Sequence, residues 1–217
     1  MSDARSCPVC ATLNTQLLLK TPDKSYFKCD HCAARFLDRP HHLSKTEERA
    51  HYECHQNEIN DPGYRKFLSK LFIPFTKKLS LGAHGLDYGA GPGPALAAMF
   101  VEAGFSMDLY DPFFHKNSDV LKARYDFIVC TETAEHFSNP ADEFARLFSL
   151  LRPGGWLGVM TSFQIDDDQF ETWHYRKDPT HVVFYREQTL RYIAASLGMT
   201  CEIPQNDIAM MNKPISP

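Results

Sequence analysis

The chain has 217 residues, 43% of them hydrophobic and 12% aromatic, which is enough to bury the core of one full domain and leave a small appendage. Its formal net charge of −4 excludes a general electrostatic attraction to nucleic acid or to acidic membranes. No apolar run approaches the roughly 20 residues of a membrane span, and the first residues lack the apolar segment of a secretory signal, so we expect a cytoplasmic protein with reduced cysteines and no membrane partner.

Four of the seven cysteines lie near the start of the chain, as two Cys-x2-Cys pairs. The interval between the pair Cys7 and Cys10 and the pair Cys29 and Cys32 is typical of a zinc ion held by four thiolates. Four sulfurs fill a tetrahedral site, so the predicted zinc is structural, and its binding would stabilise a segment too short to bury its own core. Four reduced thiols without a metal are the alternative. We predict a zinc ribbon over residues 1–42.

The predicted ribbon gives little support for binding nucleic acid. Residues 1–45 carry seven lysines and arginines against four aspartates, which amounts to +3. A zinc ion with four thiolates adds −2 and leaves about +1. Binding to RNA therefore stays an open alternative without electrostatic support.

The stretch over residues 43–80 is predicted to be helical and to form a lid or linker. Ser44, followed three residues later by Glu47, is a capping box, which predicts a first helix running toward Asn57.

A second helix is predicted after residue 60. Asp61 followed by Pro62 is typical of a helix start, and Pro74 is predicted to kink or restart this helix. Its apolar residues recur at three- and four-residue steps and define one buried face. They are Tyr64, Phe67, Leu68, Leu71, Phe72 and Phe75.

Residues 81–217 show short apolar strands alternating with helical segments, which predicts an α/β domain with a mostly parallel, Rossmann-like sheet. The last two apolar pieces are predicted to close the sheet as an antiparallel hairpin. The predicted strands are Gly85–Tyr88, Ser106–Tyr110, Asp126–Thr131, Trp156–Thr161, Met199–Ile203 and Ile208–Met211, and the predicted helices are Pro94–Ala103, Ala141–Leu151 and Glu187–Leu197.

A glycine-rich bend follows the first strand of this domain. Asp87 is followed by Gly89, Gly91 and Gly93, and glycines at alternate positions let the backbone turn sharply and approach a ligand closely. A dinucleotide fingerprint would need a small third residue, and that position falls on a proline or a leucine here, depending on the starting glycine. A nicotinamide oxidoreductase is therefore disfavoured.

The order Asp-x-Gly-x-Gly-x-Gly resembles motif I of class I S-adenosylmethionine-dependent methyltransferases. This resemblance implies that the bend lies against the methionine part of the cofactor. It also implies that an acidic residue at the end of the next strand accepts the ribose hydroxyls. Asp111 occupies that place in the strand after the one that carries Asp87, and Asp108 in mid-strand is the alternative.

Later motifs continue the resemblance in the same order. Glu132–Phe137 looks like the loop after the fourth strand, and Leu151–Leu157 looks like the Leu-x-Pro-Gly-Gly turn before the fifth. The motifs around His51–Asn57, Asp61–Tyr64 and Asp178–Tyr185 resemble a bacterial group of methyltransferases with an N-terminal zinc ribbon. The cofactor-binding residues that this resemblance implies are Asp87, Gly89, Ala90, Gly91, Gly93, Asp111, Pro112 and Glu132, with His55 and Tyr64 from the lid.

One departure from the class concerns the segment after Asp111. The interval between Asp111 and Tyr125 is too short for a full helix–strand–helix crossover. The third strand of the class, which carries an acidic residue near the adenine, is therefore predicted to be missing or reduced. Asp119 is a weak substitute.

Three residues are candidates for catalysis. His181 lies in an aromatic segment after the fifth strand and is the first choice for a base that takes a proton from the acceptor. His136, beside Glu135, follows the fourth strand at the sheet edge where α/β proteins bind ligands. Packing or helix capping is the alternative for both histidines.

The sequence thus predicts an S-adenosylmethionine-dependent methyltransferase, with structural zinc, that acts on an unidentified small-molecule acceptor. The alternative is a catalytically inactive methyltransferase-like module that docks on protein or RNA through its ribbon. The oligomeric state is not predicted.

Overall fold

The computed structural model describes residues 5–53 and 58–215. Two sheets form within this part of the chain, one of six strands and one of four. The strands are β1 Thr15–Lys20, β2 Ser25–Cys29, β3 Arg35–Leu37, β4 His84–Tyr88, β5 Ser106–Tyr110, β6 Tyr125–Thr131, β7 Leu151–Met160, β8 Val183–Phe184, β9 Thr200–Gln205 and β10 Ile208–Asn212. The helices are α1 Lys45–Tyr52, α2 Pro62–Thr76, α3 Ala95–Glu102, α4 Pro140–Leu150 and α5 Glu187–Ser196.

The six-stranded sheet has the order β5-β4-β6-β7-β10-β9. Strands β5, β4, β6 and β7 are parallel, while β10 runs antiparallel to both β7 and β9. This arrangement confirms the predicted α/β fold with its C-terminal antiparallel hairpin. The chain leaves β4 toward β5 on one side and returns with β6 on the other, which creates a crevice at the carboxyl ends of these strands.

The segment between β5 and β6 contains a short 3₁₀ turn at Ser118–Lys122 and no strand among its residues, all of which are described. β5 is therefore the edge of the sheet, and the prediction of a missing third strand is confirmed. Asp119 is exposed and pairs with Lys122, so it is no substitute for the missing acidic residue.

The capping box of α1 forms as predicted. The Ser44 hydroxyl accepts from the backbone N–H of Glu47, whose carboxylate accepts from the N–H of Ser44 in return. The helix ends at Tyr52, and the predicted end near residue 57 lies outside the described residues.

Helix α2 begins at the predicted Asp61 cap, which accepts from the N–H of Tyr64. It then runs through Pro74 to Thr76, so the predicted restart at this proline is wrong. Pro74 lies in the last turn of the helix, where its missing N–H removes a single backbone hydrogen bond.

The predicted turn before the fifth strand is part of a longer strand. Tyr125 pairs with Leu151 and Phe127 pairs with Trp156, so β7 contains an irregularity over the Pro-Gly-Gly residues. Strand β7 therefore starts at Leu151, earlier than the predicted start at Trp156.

The four-stranded sheet has the order β1-β2-β3-β8. Its last strand comes from far along the chain, since β3 pairs antiparallel with β8 and the Leu37 N–H donates to the Val182 carbonyl at 2.9 Å. Arg35 also forms two hydrogen bonds of 2.9 Å to the Asp167 carboxylate. The cysteine-rich segment is thereby attached to the segment that precedes α5.

One hydrophobic cluster runs through both sheets. It includes Tyr26 and Phe36 from the cysteine-rich segment together with Leu86 and Val159 from the large sheet. No helix in the described ranges is long and apolar enough to cross a membrane.

Candidate functional site

A cleft of about 820 Å³ opens at the carboxyl ends of β4, β5 and β6. Its volume lies within the range of roughly 300–1,000 Å³ that is common for small-molecule pockets. Nine of the ten predicted cofactor-binding residues line it, and the tenth, His55, lies outside the described residues. The three candidate catalytic residues line the same cleft: Glu135, His136 and His181.

The glycine-rich bend forms one wall of the cleft. Gly89 and Gly91 have φ angles of 85° and 61°, in the left-handed region that favours glycine. A Cβ at Gly89 would lie 2.3 Å from the Thr133 side chain, whereas a Cβ at Gly91 would meet no atom of residues 5–53 and 58–215 within 4 Å. Gly89 therefore allows close packing inside the protein, and Gly91 leaves its backbone open to a ligand.

Asp87 is a buried carboxyl at the base of this bend. Its side chain is only 3% exposed, and Oδ1 has no hydrogen-bond partner within the described part of the chain. Burial, together with the nearby Asp111 carboxylate, raises its pKa to about 7 although the backbone N–H of Ala97 donates to it. A buried acceptor without a partner suits a ligand that brings a positively charged donor, such as an ammonium group.

Asp111 holds two loops together. Its carboxylate accepts the backbone N–H of Gly91 at 3.1 Å, of Phe113 at 2.8 Å and of Phe114 at 3.0 Å. A carboxylate offers about four acceptor positions, so one remains for a ligand hydroxyl. The prediction that Asp111 accepts both ribose hydroxyls would require one backbone bond to open. Asp108, the alternative, accepts from the Tyr125 hydroxyl and is not among the residues that line the cleft.

Glu135 also lines the cleft and is fully buried. The Thr161 and Tyr175 hydroxyls both donate to its carboxylate. Burial raises the pKa of Glu135, although the nearby His181 and these two donors oppose the rise.

Both candidate histidines face this carboxylate. The Nε2 atoms of His136 and His181 lie 3.9 and 4.0 Å from Glu135 Oε1, and their rings contact each other edge-to-face. Burial lowers the pKa of His181, an effect that the Glu135 carboxylate opposes. A mainly neutral imidazole at neutral pH has a lone pair that can accept a proton or bind a cation.

The backbone of Glu132 has a φ of 47°, in the left-handed region that residues other than glycine rarely adopt. Its pKa is raised to about 8 by burial and by the negative charge of Glu135. Strain and a displaced pKa at one cleft residue are typical of functional positions.

Several cleft residues were not predicted from the sequence. Lys45, Glu48 and Tyr52 come from α1, which covers the cleft. Asp178, three residues before His181, has its pKa lowered to about 2: burial raises it, but the Thr180 hydroxyl and N–H and the neighbouring histidines outweigh burial. The Asp-Pro-Thr-His motif contained Asp178, and the motif that begins at His51 contained Tyr52, whereas Lys45 and Glu48 carried no signal besides the helical pattern of the predicted lid.

A polar group on α4 was also missed. Tyr88 donates to Glu143, and Arg146 donates to both of them. All three side chains line the cleft beside the bend.

The four cysteines predicted to bind zinc converge at one point. Cys7 Sγ lies 3.5 Å from Cys32 Sγ, and Cys10 Sγ lies 3.6 Å from Cys29 Sγ. All four sulfurs lie within 4.8 Å of one another. Sulfurs placed ~2.3 Å from a tetrahedral zinc are ~3.8 Å apart, so these spacings suit that ion.

Comparisons with known proteins identify the fold family. The sequence profile of a family described as "Methyltransferase domain" matches residues 56–202. A ubiquinone biosynthesis O-methyltransferase from Erwinia tasmaniensis is 30% identical over 71 residues, which cover 33% of this chain and 29% of that protein.

Two solved structures share the fold. Magnesium protoporphyrin IX methyltransferase from Synechocystis, with bound SAH, has a TM-score of 0.51 at 12% identity. The match covers 78% of this chain and 95% of the Synechocystis chain. An O-methyltransferase family protein from Burkholderia thailandensis has a TM-score of 0.50 at 13% identity. The match covers 69% of this chain and 57% of the Burkholderia chain. The chain thus spans under a third of the Erwinia protein and little more than half of the Burkholderia protein.

Proposed function

Because the chain belongs to the methyltransferase domain family, we propose that it transfers a methyl group from S-adenosylmethionine to a small-molecule acceptor. The observation that carries this proposal is buried Asp87, whose Oδ1 has no hydrogen-bond partner among the described residues, beside the open backbone of Gly91. A ligand with an ammonium group could donate to Asp87 Oδ1, and an unbranched chain on the same ligand could lie against the Gly91 backbone.

The other cofactor residues have separable roles in this proposal. Asp111 offers its remaining acceptor position to a ribose hydroxyl. Pro112 and Ala90 line the cleft next to Asp111 and Gly91 in the sequence. Gly93 and Glu132 line the cleft beside the bend, and Tyr64 covers it from α2. His55 stays a prediction that the described residues do not reach.

The acceptor is proposed to bind beside Glu135, His136 and His181. S-adenosylmethionine supplies a methyl carbon activated by its sulfonium, which leaves with the electron pair of the carbon–sulfur bond. The protein must then align the acceptor atom with this carbon, exclude water and allow the acceptor to lose its proton. His181 Nε2 is proposed to take that proton when nothing else is bound to it.

The four cysteines are proposed to hold a structural zinc ion. Each contributes one sulfur, so no coordination position is left for a substrate. The zinc would stabilise the cysteine-rich segment, which is attached through β3 to the segment that carries His181.

A pair of glycine variants tests cofactor binding. Gly91→Ala and Gly104→Ala both place a Cβ at a positive φ, and neither Cβ meets an atom within 4 Å, but only Gly91 lines the cleft. We expect both changes to lower stability by about 1–2 kcal/mol. Calorimetric titration with S-adenosylmethionine should show at least tenfold weaker binding for Gly91→Ala alone. Equal affinities of both variants, or no binding by the wild type, would contradict the proposal.

The acceptor can be found by incubating the protein with labelled S-adenosylmethionine and a small-molecule cell extract. Mass analysis of labelled products would identify the methylated compound, and Gly91→Ala serves as the control. A label that reaches no small molecule, or reaches only protein or RNA, would contradict a small-molecule acceptor.

A further inference from the structure

Three metal-ligating atoms converge at one end of the cleft. They belong to Glu135, His136 and His181, here called the Glu135 cluster, and all lie within 4.8 Å of one another. Glu135 and His181 are buried, and all three residues border the cleft. The cluster differs in chemistry from the cysteine site, since it offers nitrogen and oxygen instead of sulfur.

Backbone carbonyls determine which nitrogen of each imidazole carries the hydrogen. His136 Nδ1 lies 3.1 Å from the Thr180 carbonyl, and His181 Nδ1 lies 2.7 Å from the Tyr175 carbonyl. A carbonyl only accepts, so both Nδ1 atoms must donate. In the neutral rings the lone pairs are therefore on Nε2, the atoms that face Glu135. Metal-binding histidines are commonly oriented in this way by a second hydrogen bond.

The carboxylate of the cluster is oriented as well. The Thr161 hydroxyl donates to Oε2 at 2.9 Å, and the Tyr175 hydroxyl donates to Oε1. The Glu135 backbone carbonyl also accepts the N–H of Val182, which ties the loop after β6 to the segment of His181. Two imidazole lone pairs and a buried carboxylate thus converge on one point, and a bound cation would offset the cost of burying this negative charge.

We propose that Glu135, His136 and His181 bind a divalent first-row transition-metal cation at this end of the cleft. Two histidines and one carboxylate form a facial ligand set that leaves coordination positions open. Around a cation with bonds of ~2.1 Å, such ligand atoms lie ~3.0–3.4 Å apart, so the side chains close by roughly 0.5–1 Å on binding. Asp178 adds a second negative charge nearby, with Oδ2 4.0 Å from His181 Nε2.

The catalytic consequence rests on the proposed function. A bound cation would lower the pKa of an acceptor hydroxyl that coordinates it, so that this hydroxyl would lose its proton to solvent. The freed lone pair then forms the bond to the methyl carbon as the carbon–sulfur bond breaks, with its electrons remaining on sulfur. In this form of the enzyme His181 coordinates the cation, and the cation replaces it in activating the acceptor.

Titration of the full chain with Mn²⁺, followed by electron paramagnetic resonance, tests the site. Mn²⁺ prefers oxygen and nitrogen ligands, so it leaves the four thiolates to zinc. We expect about one Mn²⁺ bound per chain. Glu135→Gln and His181→Ala should weaken this binding at least tenfold, while His174→Ala, which removes a histidine of the same segment outside the cluster, should bind like the wild type.

The variants also need a measure of folding that is independent of the cation. Calorimetric binding of S-adenosylmethionine provides it, and if Glu135→Gln fails to fold, His136→Gln takes its place. A wild type that binds the methyl donor but no Mn²⁺ would overturn this inference and leave the proposed function standing. Equal Mn²⁺ binding by wild type and cluster variants would also overturn it. Full turnover after chelation of the bound cation would restore His181 as the proton acceptor.

Discussion

At the scale of single residues, the cleft contains groups that stability alone does not explain. Asp87 is buried with one oxygen unpartnered among the described residues, and Glu132 is held at a positive φ with a raised pKa. Each of these costs free energy in the free protein. A ligand that supplies donors or positive charge would recover part of this cost, which ties both features to binding.

The stability cost of Asp87 can be measured by substitution. Its carboxyl has a pKa of about 7 in the folded protein against an ordinary value of 3.8, so the folded state keeps a proton that the unfolded state loses. Between pH 3.8 and about pH 7 the free energy of unfolding falls as the pH rises, because ionisation of Asp87 disfavours the folded state. We expect the free energy of unfolding of Asp87→Asn, relative to that of the wild type, to increase by about 1–3 kcal/mol as the pH rises from 4 to 8.

Denaturant unfolding of both proteins across this pH range would check the gain. The same variant should bind S-adenosylmethionine at least tenfold more weakly, since the amide lacks the negative charge. A stability difference that does not change with pH would contradict the raised pKa of Asp87.

His181→Ala separates turnover from cofactor binding. We expect a loss of roughly 10²–10⁴-fold in turnover, whether this residue takes the proton or holds the cation that replaces it. The affinity for S-adenosylmethionine should stay nearly unchanged, because the residue lies where the acceptor, and not the methyl donor, is proposed to bind. Steady-state kinetics with the identified acceptor and calorimetry measure the two quantities, with His174→Ala as the control. Turnover at the wild-type level would exclude both roles.

At the scale of secondary structure, the pairing of β3 with β8 connects the cysteine-rich sheet to the segment that carries His181. Strand β8 begins shortly after His181, and Phe36 pairs with Val183. The Arg35–Asp167 pair reinforces this connection, with an Arg35 side chain only 6% exposed. Order at the cysteine site therefore affects the segment that carries a candidate catalytic residue.

Cys29→Ser tests this connection. We expect the variant to lose the proposed zinc, which metal analysis would measure, and to show faster hydrogen exchange in β1–β3 and in residues 163–185. Strands β4 and β6 should stay folded and remain more protected than these segments, because their ladder does not depend on the cysteines. Cys201→Ser, a cysteine outside the cluster, is the matched control. Full zinc occupancy in the Cys29 variant would contradict the ligand set, and unchanged exchange in residues 163–185 would contradict the connection.

At the scale of the whole molecule, the cysteine-rich sheet and the large sheet share a hydrophobic core. Phe184 of β8 is fully buried and its ring lies 5.2 Å from Phe170 and 6.1 Å from Tyr26. The division into residues 1–42, 43–80 and 81–217 stays a proposal about domains. Its first and third parts are packed together, so we expect them to unfold together.

Phe184→Ala measures this joint packing. Removing a buried ring of this size costs about 3–5 kcal/mol, and we expect one cooperative transition with the same midpoint for probes in both sheets. Val101→Ala, at a side chain that is 56% exposed, should change stability by less than about 1 kcal/mol. Denaturant unfolding followed by hydrogen exchange and circular dichroism would check this. Separate transitions for the two sheets in the wild type would contradict it.

Features that depend on local patterns could be predicted from the order of residues. Short apolar runs that alternate with helical segments predicted the strands of the large sheet, glycines predicted the bend at Gly91, and the capping box at Ser44 predicted the start of α1. The length of the segment between Asp111 and Tyr125, set against the pattern of the class, predicted that the third strand is missing or reduced, because so short a segment cannot form the crossover.

Contacts between distant segments could not be predicted in this way and became visible in the folded chain. His181 reaches Glu135 from a different loop, and β3 finds β8 from near the opposite end of the chain, because burial of apolar surface drives contacts that no local pattern encodes. The raised pKa of Asp87 has the same origin. Its type and position were visible in the sequence, whereas its isolation from water follows from the packing of the whole domain around it.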